Sequence, residues 1–210
     1  MKKKKGTLKD QVYQNIYDDI IAGYYSEEDI ITEGSLIEKY QVSKSPVREA
    51  LIQLCSENVL RSLPRLGYQV VTISHKDVLD IMEYRLLVES FAIDKAIANA
   101  SAADFDYMLQ LSEQAKNATD IRESMLYNAQ FHLYICKLSG NEHLYYVMEM
   151  TMKRCNRYSA QHILDSWKKK EEGIPSYHYE ITQAMRKKDG DLAKEMMKKD
   201  LLPLKDDFKN

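Results

Sequence analysis

The segment Val42-Ser43-Lys44-Ser45-Pro46-Val47-Arg48-Glu49-Ala50-Leu51-Ile52-Gln53-Leu54 reads as a short, sharply started helix that offers one face to something outside the core. Ser43 suits the N-cap, where its hydroxyl can accept a bond from a free backbone N–H. Pro46 is tolerated in the first turn, which has no intrahelical use for its missing N–H. Val47, Leu51 and Leu54 recur at three- and four-residue steps that put them on one buried face. Lys44 and Arg48 share the opposite edge. A basic, hydroxyl-rich helix start on an apolar anchor suits the DNA major groove, and a recognition helix is expected.

Working outward, Leu8, Val12, Ile16, Ile20 and Ile21 are spaced for the inner face of a first helix, with Gly23 as its stop. Tyr24 to Asp29 reads as a polar connector. Thr32 can cap a second helix through Tyr40, with Leu36, Ile37 and Tyr40 inward, and Gln41–Val42 then turns into the recognition helix, which runs to about Ser56. From Leu60 to Ile73 the pattern alternates on both sides of Pro64-Arg65-Leu66-Gly67, predicting a two-stranded wing. A winged helix-turn-helix over residues 1–73 follows.

Beyond Ser74 the strand signal vanishes. Val78, Ile81, Met82, Leu86, Val88, Phe91 and Ile93 make the broad apolar stripe of a packed helix over His75–Ala98. Ser101-Ala102-Ala103-Asp104 resembles a capping box for the next helix. Further helices are expected over Asp120–Leu138, Glu142–Leu164, Ser176–Lys187 and Asp191–Leu202. Asp165–Pro175 reads as an exposed connector, and Pro203 should end or kink the last helix. Residues 74–210 are thus an all-α bundle, and the whole chain is mainly α.

Composition narrows the class. The formal net charge is −2 over 210 residues, and residues 1–72 hold ten basic and ten acidic side chains. Ser43–Thr72 alone carries Lys44, Arg48, Arg61 and Arg65 against Glu49 and Glu57. Any positive field is therefore local, which fits a dimeric operator binder better than a non-specific nucleic-acid coat. No apolar run approaches the roughly 18 residues of a membrane span, and Met1–Lys5 lacks the apolar core of a signal peptide. Three cysteines without a CxxC pair read as reduced core thiols in a cytoplasmic protein.

Val42 through Leu51 closely resembles the signature of the GntR family of transcriptional regulators, with the wing motif Pro-Arg-x-Gly at Pro64–Gly67. Phe131-His132, Ser139-Gly140-Asn141, His178-x-x-Ile181-x-x-Ala184 and Gly190-Asp191-x-Ala193 look like the helical C-terminal domain (FCD type) of its FadR subfamily. The resemblance implies DNA contacts by Ser43, Lys44 and Arg48, with Ser45 a further candidate, and by Gly67 beside Arg65 in the minor groove. Lys44 stands where the family usually has Arg, a point charge in place of a planar fork, and Gly34 falls where some members place a base-contacting Arg. Arg48 could instead pair with surface acids, as most exposed charges do.

The resemblance further implies a divalent-metal site at Asn128, His132, His178 and Asp200. The family usually has Asp in place of Asn128 and His in place of Asp200. Two His and one carboxylate suit Zn²⁺, Mn²⁺, Fe²⁺ or Ni²⁺; the competing reading is of ordinary hydrogen-bonded core histidines. Arg85 matches a family Arg that could hold an effector carboxylate bidentately, and it could equally pair with Glu89 one turn on. Cys136, one turn after His132, could stand in for a missing ligand or be an inert buried thiol. The expected function is a homodimeric regulator, most often a repressor in this family. It would bind a palindromic double-stranded operator and respond to a small organic acid. A metal-free effector pocket is one alternative. A metal-dependent enzyme using His132, His178 and Asp200 is the other, without support from an HExxH, a nucleophile elbow or a phosphate-cradling loop.

Overall fold

The computed structural model describes residues 6–162 and 176–201. The expected connector at 165–175, Pro203 and the lysine tail lie outside them. The chain divides into two compact units, Met1–Ile73 and Ser74–Asn210.

The first unit runs α1 (Leu8–Ile21), α2 (Glu33–Tyr40), α3 (Lys44–Ser56), β1 (Leu60–Leu63) and β2 (Gly67–Val70). Thr7 with Asp10, and Thr32 with Ser35, close capping boxes that start α1 and α2. Gln41 takes a left-handed conformation (φ 54°) at the end of α2, which gives the tight turn into α3. Ser43 is the N-cap of α3, yet its side chain makes no capping hydrogen bond, contrary to the sequence expectation. Ile16, Leu36, Val47, Leu51, Leu54 and Leu60 are fully buried in one core. That core grips α3 by its Val47/Leu51/Leu54 face and leaves Lys44, Ser45 and Arg48 exposed.

β1 and β2 pair antiparallel, Leu60 opposite Val70 and Leu63 opposite Gly67. The segment before α2 also joins this wing. Ile31 and Tyr68 form a bridge, each N–H donating to the other's carbonyl at 2.8 Å. Gly67 has φ 143°, and a Cβ there would lie 2.4 Å from the Ile31 carbonyl oxygen. Its lack of a side chain is what lets the third segment close on the wing.

The second unit is all helix among the described residues: α4 (His75–Asn99), α5 (Ala102–Lys116), α6 (Ile121–Leu138), α7 (Glu142–His162), α8 (His178–Arg186) and α9 (Gly190–Leu201). Ser74/Asp77 and Ser101/Asp104 are full capping boxes, and Gly140 (φ 73°) follows the Ser139 C-cap of α6. The apolar stripe expected on α4 is corrected in one respect. The buried face is Val78, Ile81, Met82, Arg85, Glu89, Ala92, Ile93 and Ala96, while Phe91 is half exposed and Leu86 and Val88 are only partly covered. Helical periodicity makes 78, 82, 85, 89, 92 and 96 one seam, so two charged residues occupy the middle of the inward face. No described helix is long and apolar enough to cross a membrane.

Candidate functional site

On the first unit, the start of α3 carries the residues picked out from the sequence. Lys44 and Arg48 are more than half exposed, and both face Glu33 at the first position of α2. Arg48 Nε donates to Glu33 Oε1 at 3.0 Å and its Nη2 to Oε2 at 3.3 Å, a two-point grip; Lys44 Nζ stands 3.4 Å from Oε2. The Arg48 guanidinium is the main cause of a Glu33 carboxyl held below its usual range. Ser45 donates its hydroxyl to Glu49 Oε1 at 2.9 Å, one turn on. Arg65 sits exposed at the wing tip in a left-handed conformation (φ 68°). Gly34 faces open space apart from the Thr32 hydroxyl. The surface pair considered for Arg48 thus exists, with Glu33, a partner that sequence spacing alone did not single out.

The second unit buries a polar cluster built by four helices. Arg85 and Glu89 come from α4, His132 from α6, His178 from the start of α8 and Asp200 from the end of α9. Arg85 Nε donates to Glu89 Oε1 at 2.8 Å, and the other Glu89 oxygen lies 2.6 Å from His132 Nδ1. His132 Nε2 then faces Asp200 Oδ2 at 3.4 Å, and His178 Nε2 faces the same oxygen at 3.7 Å. Asp200 Oδ1 accepts the Tyr177 backbone N–H at 2.8 Å, which ties the entry of α8 to α9. Phe131 stacks on His178 with ring centroids 3.9 Å apart, fixing the imidazole plane.

Electrostatics sorts the two histidines. Burial drives His178 down to about 4, against the pull of the Asp200 charge, so it is neutral at pH 7. Burial also opposes charge on His132, but Glu89 and Asp200 on its two sides outweigh that and raise it. Burial opposes the Asp200 carboxylate in turn, and the two imidazoles hold it down at about 2. Glu89 is kept ionised, despite full burial, by Arg85 and His132.

His132, His178 and Asp200 each offer one ligand atom, all within 4.8 Å of one another. Both ring nitrogens of buried His178 lack a hydrogen-bond partner among the described residues. An orphaned neutral imidazole beside a second imidazole and a carboxylate is the donor chemistry of a divalent cation site. Glu89 on Nδ1 of His132 is placed as the outer carboxylate that would orient that histidine were it to ligate an ion. Asn128 lies one turn before His132 on the same face of α6, half-buried. Cys136 is fully buried and burial pushes its thiol well up, as for an inert core cysteine. Both readings of Arg85 find an observation: it pairs with Glu89, and its buried Nη2, near the Cys155 thiol, has no hydrogen-bond partner among the described residues. The sequence alone offers Glu89 only as a pair for Arg85; its place on the same inward seam as Val78, Met82 and Ala92 is the signal of a buried role.

A winged helix-turn-helix joined to a helical bundle with a buried His/His/Asp cluster is the build of a DNA-binding transcriptional regulator. Residues 8–70 match the bacterial regulatory proteins of the gntR family and residues 80–202 match the FCD domain; the chain belongs to the GntR family and carries an FCD domain. It is similar to an uncharacterized HTH-type transcriptional regulator of Bacillus subtilis (strain 168), YdhC, at 27% identity over 194 residues, 88% of this chain and 84% of that one. It is equally similar to the HTH-type transcriptional repressor GlaR of Escherichia coli (strain K12), 27% identical over 199 residues and 90% of each chain. The solved structure of E. coli McbR/YncC shares the fold with a TM-score of 0.74 at 22% identity, over 97% of this chain and 99% of that one.

Glu89→Ala should strip Arg85 and His132 of their shared carboxylate and leave a buried guanidinium uncompensated. The expected loss is about 3–5 kcal/mol of unfolding free energy, measured by denaturant titration of the full chain. A loss below about 1 kcal/mol would show that the pair is not what holds α4 to α6.

Proposed function

We propose that the chain is a cytoplasmic, homodimeric repressor whose grip on a palindromic operator is set by a small carboxylate-bearing effector in the second unit. Ser43, Lys44, Ser45 and Arg48 at the start of α3 read the major groove, with Arg65 and Gly67 of the wing at the minor groove. The observation that carries this is the exposed basic start of α3 on a fully buried Val47/Leu51/Leu54 anchor. Repression rests on the likeness to GlaR, a repressor by its name. Arg48→Ala should weaken binding to a duplex selected by the wild-type protein at least tenfold, read by mobility shift, while the fold is kept. Unchanged binding would remove α3 from the reading surface.

His132, His178 and Asp200, with Asn128 one turn before His132 on α6, would hold a divalent ion such as Zn²⁺, Mn²⁺, Fe²⁺ or Ni²⁺. The ion would supply a Lewis-acidic anchor for one carboxylate of the effector. Arg85 would supply the protein's own anchor, since its buried Nη2 has no hydrogen-bond partner among the described residues. The orphaned His178 nitrogens favour this reading over a metal-free pocket. Elemental analysis of the purified chain should find about one divalent ion per protomer, lost in His178→Ala. A metal-free wild type that fails to bind added Zn²⁺ or Mn²⁺ in calorimetry would leave the metal-free pocket standing.

A second copy of the chain is the proposed cover for the outer face of α4. Tyr84, Leu87 and Phe91 are 37%, 74% and 50% exposed there, beside a groove floored by Leu144 and Val147. They present roughly 300 Å² of apolar surface, the scale of patches that mark interaction sites. That is much of the apolar share of a standard interface of about 800 Å² per partner. Antiparallel packing about the Leu87–Val88 midpoint sets Tyr84 of one copy against Phe91 of the other, and Asp80 against Lys95, so the face is self-complementary. Leu87→Glu should convert a dimer to monomer in sedimentation equilibrium; a variant still fully dimeric would move the interface elsewhere.

A further inference from the structure

We propose that Glu33 sets the sequence specificity of the DNA-reading surface: it holds Arg48 for a guanine and withholds Lys44 from phosphates. This rests on the reading role proposed for α3. The side-on contact, Nε and Nη2 on the two carboxylate oxygens, uses one edge of the guanidinium. Arg carries five N–H donors in a planar fork, so the edge bearing Nη1 stays open and can bridge guanine O6 and N7. An exposed arginine otherwise samples many rotamers; a fixed carboxylate behind it leaves one direction of approach.

Glu33 is well placed to act as that fixed point. It is the first residue of α2, where a carboxylate is favoured by the helix dipole, and the Thr32 capping box fixes the backbone beside it. Two residues back, the Ile31–Tyr68 bridge ties the same segment to the wing. Its side chain is three-quarters covered, against less than half for Arg48 and less again for Lys44. Charge counts agree. With ten basic and ten acidic residues in 1–72, one carboxylate between the two cations of α3 lowers the local attraction for duplex of arbitrary sequence.

The test uses the full chain. Wild type and Glu33→Gln each select from a randomised duplex pool, and both are then titrated on the wild-type winner and on its shuffled sequence across a salt series. Glu33→Gln should bind the shuffled duplex several-fold tighter, with a salt slope steeper by about one as Lys44 gains a phosphate. Its preference for the winner should fall about tenfold, with a blurred guanine position in each half-site. In an Arg48→Lys background, which cannot form the two-point contact, Glu33→Gln should leave the remaining preference unchanged. Equal thermal midpoints confirm intact folding. The inference is overturned if Glu33→Gln keeps the wild-type preference, or changes it as much beside Lys at position 48. A wild type that enriches no sequence would sink the reading role itself, an outcome separable from either.

Discussion

An ionised carboxylate with no solvent exposure, Glu89, is the constraint around which the second unit is arranged. Taking such a charge out of water costs several kcal/mol, and only well-placed partners offset it. Arg85 holds one oxygen from the same helix and His132 the other from α6. Those partners are themselves buried, so neither can be lost without stranding the rest. The chain of contacts continues through His132 to Asp200 and, by a backbone N–H, to the entry of α8. Three separately coded helices are thus pinned to α4 by polar contacts that demand specific geometry, where apolar packing would tolerate sliding.

The two units depend on their polar groups differently. In the first, apolar packing fixes the frame, and Lys44, Arg48 and Glu33 pair on its surface. In the second, charges are inside the frame. Exposed pairs of this kind cost little to rearrange, whereas buried charges hold their neighbours in one geometry.

Much of this was legible in the sequence because the signals were local. Ser43 to Leu54 carries its own start and its own buried face, and Ser101/Asp104 announces a cap by spacing alone. What escaped depended on contacts distant in the chain. The two-stranded wing is legible, but the isolated Ile31–Tyr68 bridge beside it joins residues 37 apart and leaves no periodic trace. Glu33 and Arg48 are 15 residues apart on different helices, and nothing in either helix alone announces the pair. On α4, Arg85 and Glu89 interrupt the apolar stripe, which made Phe91 look like core when the seam in fact runs through the charges. His132, His178 and Asp200 were found together only because a family resemblance linked positions that spacing could not.

The two departures from the family's ligand pattern can be understood from the position of Asp200. A ligating histidine spends one nitrogen on the ion and carries a proton on the other, so it cannot accept a backbone N–H. Asp200 does accept one, from Tyr177, and still turns its second oxygen to both imidazoles. A carboxylate there could therefore join a cation's donor set while it anchors the first turn of α8, the turn that presents His178. With the negative charge supplied at that corner, a second carboxylate at position 128 would add repulsion without adding order. Asn128 keeps an oxygen donor on the same face of α6 at no charge cost. The pair of differences moves one charge across the site and leaves its total unaltered, so the proposed cation would meet the same net charge in either arrangement.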